Sequence, residues 1–215
     1  MSAKMLTLDE RQGVLRDEAS GRCYGPARRE WSPGPPVQGV PVSPRAAVAW
    51  LQQRSGHPLR EPVAVIGPGQ ASELQLSVAR DLGAALGSVG LRVVCGGRGG
   101  VMEAVARGVT EAGGISIGLL PGPDAVEANR YITVALATGI GEARNAIVAR
   151  AGFCLVAVGD SYGTLSEVAL GLQFGRPVIG LCDAAQVAGV VHVETVEEAV
   201  DRVAAVALGL TAGRA

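Results

Sequence analysis

The sequence predicts an α/β fold, a doubly wound parallel sheet with a small N-terminal β and linker extension. Three observations predict it. From Pro62 onward, short apolar runs alternate with stretches whose apolar residues recur at helical spacing. Glycine-containing turns close several of those runs, at Gly67, at Gly96–Gly100 and at Gly159–Gly163. The 31 glycines, with few aromatics, suit helices packed closely against a sheet. Strands alternating with helices imply a parallel sheet covered on both faces. Right-handed crossovers then bring the glycine turns to one edge, where such sheets bind ligands. The expected domains are an extension over residues 1–60 and an α/β domain over 61–215.

In the extension, Leu6–Asp9 and Val14–Arg16 read as a hairpin around Gly13, with Arg22–Tyr24 as a third strand. So small a meander needs something to pack against. Pro33 to Pro44 reads as an extended connector poor in regular structure. Ser43 and Pro44 then open a helix as N-cap and first residue, with Ala47, Val48, Trp50 and Leu51 on its apolar face.

The α/β part reads as strand Val63–Gly67, helix Ser72–Ser88, strand Leu91–Cys95 and helix Val101–Ala112. Strands Ile115–Leu120 and Ile132–Ala137 and a helix over Glu142–Ala151 follow. The central unit is strand Phe153–Val158, a small-residue turn, and a helix whose apolar face carries Leu165, Val168, Ala169 and Leu172. Gly163 is expected to supply positive φ and Thr164 the N-cap. Strands Pro177–Leu181 and Val190–Val193 and a helix capped by Thr195 close the chain.

Composition narrows the class. No apolar run reaches membrane-spanning length, and the residues around Lys4, Asp9, Glu10 and Arg11 lack a signal-peptide core. The four cysteines show no metal or redox spacing and read as reduced thiols, so the expected location is cytoplasmic. A net charge of −1 gives no global field for nucleic acid or membrane. Residues 1–60 carry nine basic against five acidic side chains, and the remainder ten against fifteen. The extension is therefore either an appendage on an acidic surface of the same chain or a basic arm for a ligand or a second subunit.

Three motifs carry candidate chemistry. Gly96, Gly97, Arg98, Gly99, Gly100 and Met102 lie between a strand and a helix, where glycines let backbone approach phosphate and a helix N-terminus favours an anion. Met102 stands where a dinucleotide fingerprint has its third glycine, and no Lys-Ser/Thr follows, so a tight turn without a ligand is the competing reading. Glu167 closes Thr164-Leu165-Ser166-Glu167, either as the last residue of a capping box or as a carboxylate at the crevice. Arg144 opens a helix, where its charge opposes the dipole, so it is either plain helix surface or a clamp for an anion or for Glu167. His57 and His192 are isolated, and no metal-ligand set is readable.

Cys95-Gly-Gly-Arg-Gly-Gly-Val-Met102, Gly113-Gly-Ile-Ser-Ile-Gly-Leu-Leu-Pro121, Ala143-Arg-Asn145 and Tyr162-Gly-Thr-Leu-Ser-Glu167 occur in this order. Together they resemble the Rossmann-like superfamily of LONELY GUY (LOG) phosphoribohydrolases and molybdenum-cofactor carrier proteins, once misnamed lysine decarboxylases. The wording is nearer to the carrier-like branch, and the resemblance spans about Val63 to Leu181. It implies a ligand site made of Gly67, the turn from Gly96 to Met102, Asn145, and Gly159, Asp160, Ser161, Tyr162, Gly163 and Thr164. Arg144 and Glu167 fall on the LOG catalytic pair. The ligand implied is the molybdenum cofactor or a nucleoside monophosphate, and the assembly a homodimer or higher homo-oligomer. Asp160 replaces a glycine of the LOG turn and Asn145 a lysine, departures that bear against nucleotide hydrolysis and leave the crevice intact. Three functions follow as expectations: binding of a phosphorylated nucleotide-like or pterin-type ligand, LOG-type release of a base from a nucleoside 5′-monophosphate, and a non-catalytic structural or regulatory role.

Overall fold

The computed structural model describes residues 5–211; residues 1–4, Lys4 among them, and 212–215 lie outside the described residues. The described residues fall into two compact units, one of residues 5–59 together with 203–211, the other of residues 60–202.

In the smaller unit, β1 (Leu6–Asp9), β2 (Val14–Asp17), β3 (Arg22–Gly25), β4 (Glu30–Pro33) and β5 (Val40–Val42) form an antiparallel sheet in the order β4-β3-β2-β1-β5. β4 and β5 correct the expected three strands and structureless connector. Pro33 and Pro41 argued against strands there, but both strands lie at sheet edges, where a missing N–H is tolerated. Arg16 holds the connector by donating to the carbonyls of Gly34 and Pro35, each at 2.7 Å. Helix α1 (Pro44–Gln53), capped by Ser43, packs on β1 and β5 and buries Val48, Trp50 and Leu51. That burial supplies the packing the meander needs.

The larger unit is a seven-stranded parallel sheet in the order β12-β11-β10-β6-β7-β8-β9. Its strands are β6 (Val63–Ile66), β7 (Val93–Cys95), β8 (Ser116–Leu120), β9 (Val134–Ala137), β10 (Leu155–Val158), β11 (Val178–Leu181) and β12 (Val190–His192). The helices are α2 (Glu73–Ser88), α3 (Val101–Glu111), α4 (Asn145–Ala151), α5 (Tyr162–Gln173) and α6 (Val196–Ala207). α6 crosses the boundary between the units. The near-unbroken apolar runs of β6 and β10 are fully buried, as central parallel strands require. Ile66, Val94, Val148, Leu155, Val168 and Val178 belong to one core cluster. α2 and α3 approach backbone to backbone, because a Cβ on Gly108 would strike the Arg80 carbonyl and one on Gly83 the Val105 carbonyl. Strand order reverses between β6 and β10, which opens a crevice beyond their carboxyl ends. No helix among the described residues is long and apolar enough to cross a membrane.

Candidate functional site

The crevice is a cavity of about 380 Å³, and four chain segments build its wall. Ile66, Gly67 and Gly69 come from the end of β6 and the turn after it. Gly96, Arg98, Gly99 and Met102 come from the glycine turn between β7 and α3. Glu142, Arg144 and Asn145 come from a 3₁₀ turn, Gly141–Arg144, that runs into α4. Ser161, Gly163, Thr164 and Glu167 come from the start of α5. The turns after β7 and β10 thus face one space, as crossover handedness requires.

The start of α5 corrects the expected cap. Ser161, not Thr164, is the N-cap, and its Oγ accepts from the Thr164 N–H at 3.2 Å. Positive φ falls on Gly159 (72°), not on Gly163, which is already helical. Glu167 therefore sits in the second turn of the helix, out of reach of a capping box, and its carboxylate is directed elsewhere. At the start of α3, Gly100 serves as N-cap without a side-chain hydrogen bond. The Val101 N–H there donates to the Pro68 carbonyl at 3.1 Å, and Glu103 in the first turn answers the helix dipole.

Arg144 and Glu167 meet in the cavity, both almost wholly buried at 4% and 6% exposure. Arg144 Nη1 donates to Glu167 Oε1 at 3.3 Å and to Asn145 Oδ1 at 2.6 Å. Its Nη2 lies 4.0 Å from Glu142 Oε2, and its buried Nε donates to nothing among the described residues. Asn145 donates in turn to Ser166 Oγ at 3.2 Å, which ties the 3₁₀ turn to α5. Arg144 is thus neither helix surface nor exposed. Burial pushes the Glu167 carboxyl up to about 7, Arg144 pulls against this, and the Glu142 charge adds to the rise. Burial holds the Cys95 thiol, at the end of β7, at about 11, so it stays protonated at neutral pH.

Gly96 makes room for the guanidinium. A Cβ there would lie 2.7 Å from both Arg144 Nη2 and Met102 Sδ. Gly96→Ala is expected to push Arg144 aside with little unfolding, since both neighbours are the far ends of flexible side chains. Losing a charge-assisted hydrogen bond of about 1.5–3 kcal/mol weakens the hold of the guanidinium on any anion about 10–100-fold. Calorimetric titration with AMP beside a thermal melt checks this, and a collapsed melting temperature with unchanged affinity would contradict it.

Five of the expected site residues do not line the cavity. Gly97 turns to the sheet, where a Cβ would meet Leu120 and Gly118 of β8. Gly100 packs against the Pro68 and Gly69 carbonyls and borders a second cavity of about 610 Å³ instead. Gly159 packs against the Gln75 side chain. Asp160 is exposed and Tyr162 is 96% exposed, so neither side chain enters the wall. Three lining residues were not foreseen. Gly69 was within reach of the same turn argument that selected Gly67. Glu142 stood two places before Arg144, and Ile66 had no signal beyond ending a strand.

The model of the SLOG cluster4 family matches residues 60–207. The chain belongs to that family. A protein of Archaeoglobus fulgidus is 36% identical over 139 residues, covering 65% of this chain and 91% of its own length. Among solved structures, the molybdenum cofactor carrier protein of Chlamydomonas reinhardtii superposes with a TM-score of 0.63 at 35% identity, over 68% of this chain and 98% of that one. The molybdenum cofactor binding protein of the phototrophic bacterium Rippkaea orientalis gives 0.64 at 32%, over 67% and 96%. This SLOG cluster4 chain accordingly sits in the LOG and molybdenum-cofactor carrier-like superfamily, with a Rossmann-like sheet.

Proposed function

We propose that the chain binds a phosphorylated, nucleotide-like or pterin-type ligand, of which the molybdenum cofactor is the leading case, at the carboxyl ends of β6, β7 and β10. The observation that carries this reading is Arg144, a guanidinium buried in the wall of the cavity with an unpartnered Nε. A buried donor without an acceptor is costly, and a phosphate oxygen is an acceptor that matches the arginine fork. The Glu167 carboxyl can accept from a ribose hydroxyl or the amine of a pterin. Similarity to a cofactor carrier and a cofactor-binding protein supports the pterin choice. The chain works in the cytoplasm as a homodimer. Exposed Tyr162 and Leu165 on α5 and Ile147 on α4 supply apolar surface beside the cavity for such a partner.

Small molecules carried through purification, identified by mass spectrometry, test the ligand directly. By calorimetry, AMP is expected to bind at least about tenfold more tightly than adenosine, the worth of one charge-assisted contact. Equal affinity would remove the phosphate from the reading.

One observation favours a second reading, release of the base from a nucleoside 5′-monophosphate. A carboxyl held at about 7 beside an arginine is suited to proton transfer at neutral pH. Incubation with AMP and assay for adenine and ribose 5-phosphate decides it, and their absence after long incubation rejects turnover on that substrate.

A further inference from the structure

We propose that Arg98 and Arg144 form one oxyanion subsite and that Glu142 is its built-in competitor, a carboxylate that the ligand's phosphoryl group displaces. The inference rests on the reading that the cavity takes a phosphorylated ligand, and it names the group that decides which oxyanions enter. Glu142 Oε1 accepts from Arg98 Nη1 at 3.2 Å, and Oε2 lies 4.0 Å from Arg144 Nη2. The two arginines come from separate elements, Arg98 from the turn after β7 and Arg144 from the 3₁₀ turn before α4. A carboxylate that spans two guanidinium groups marks the position where two oxygens of another anion would sit.

Burial separates what is fixed from what can leave. The Arg144 side chain is 5% exposed, whereas those of Arg98 and Glu142 are 52% and 68% exposed. An ion pair as open as Arg98–Glu142 adds little to stability, so breaking it unfolds nothing. Its consequence lies in competition. A neutral group gains too little from the arginines to displace a carboxylate already in place. A monoanion exchanges one charge for an equal one. A dianionic oxyanion such as a phosphoryl group brings the larger charge and more acceptor oxygens, so it displaces Glu142 with a net gain. Glu142 therefore turns a general anion site into one that favours dianions, the phosphoryl group among them.

The test uses inorganic phosphate as probe, with AMP and adenosine beside it, on the full chain. Glu142→Gln keeps the shape of an exposed side chain and removes its charge. It is expected to tighten phosphate and AMP binding about fivefold at low ionic strength, a gain that shrinks as salt is added, with adenosine unaffected. Arg98→Gln in the Glu142→Gln background should remove that gain. A second readout follows from Glu167, which Arg144, Glu142 and the Cys95 thiol face. Because the Glu142 charge contributes to its high pKa, the Glu167 carboxyl followed by carbon NMR should titrate at lower pH in Glu142→Gln. Phosphate bound no more tightly by Glu142→Gln, or bound by neither protein, overturns the proposal. AMP failing to bind while phosphate shows the gain rejects the nucleotide part of the proposed function and leaves this inference standing.

Discussion

Arg144→Met is expected to abolish ligand binding and to destabilise the protein far more at pH 8 than at pH 5. Removing one partner of a buried ion pair costs about 3–5 kcal/mol, because the other charge is left without compensation. Here the stranded group is Glu167, already pushed up to about 7 by burial against the pull of Arg144. With that pull gone, its folded-state pKa rises further. The folded protein then holds a proton that the unfolded chain has released, from about pH 4.5 upward, and stability falls steadily as pH rises through that window. At pH 5 the carboxyl is protonated in the folded variant and little charge is stranded, so the loss there reflects packing alone. Denaturant melts of both proteins at the two pH values measure it. An equal loss at each would mean that Arg144 acts as a packing residue and that its charge is immaterial. Arg144→Lys separates the roles again, since it returns the charge without the planar fork.

Elements whose signals are local were legible in the sequence, and elements decided by a partner were not. Ser43 and Pro44 announced α1, because a cap acts within four residues. β4 and β5 were missed because proline counts against a strand only where its N–H is needed, and edge status is a property of the whole sheet. At α5 two capping residues stood three apart, and the local rule chose Thr164 where the structure uses Ser161. That slip moved the positive-φ glycine from Gly159 to Gly163 and made Glu167 look like a cap. The pairing of Arg144 with Glu167, 23 residues apart, was beyond periodicity. The dipole argument at Arg144 left a clamp on Glu167 as one of its two readings, and the ordered motifs drew the pair to one site. Asp160 and Asn145 both depart from the LOG motifs, yet Asn145 lines the cavity while the Asp160 side chain is exposed and outside its wall.

Glu167→Gln should make the protein more stable at pH 8 while changing it far less at pH 5. In the unmodified protein the folded-state pKa of Glu167 is raised from 4.5 to about 7, with burial as the chief cause. The stabilisation tied to its proton is therefore complete below about pH 4.5 and lost as pH rises through about 7. A rise of that size is worth about 3 kcal/mol, a large share of the stability of an ordinary domain. Glutamine resembles the protonated acid in size and cannot ionise. At pH 5 the variant should lead by no more than about 1 kcal/mol, and above pH 7 by up to about 3 kcal/mol, since it has no proton to lose. Only the difference between the two proteins matters, because every other titrating group is common to both. If the variant is instead less stable at pH 8, Arg144 outweighs burial and the two side chains form an ordinary ion pair with its carboxylate fully charged. The sign carries over to function. A carboxyl that gives up its proton only near pH 7 gains a stronger hold once a ligand hydroxyl or amine donates to the carboxylate, so that ligand should bind more tightly as pH rises from 6 to 8. Glu167→Gln should lose that pH dependence along with the affinity.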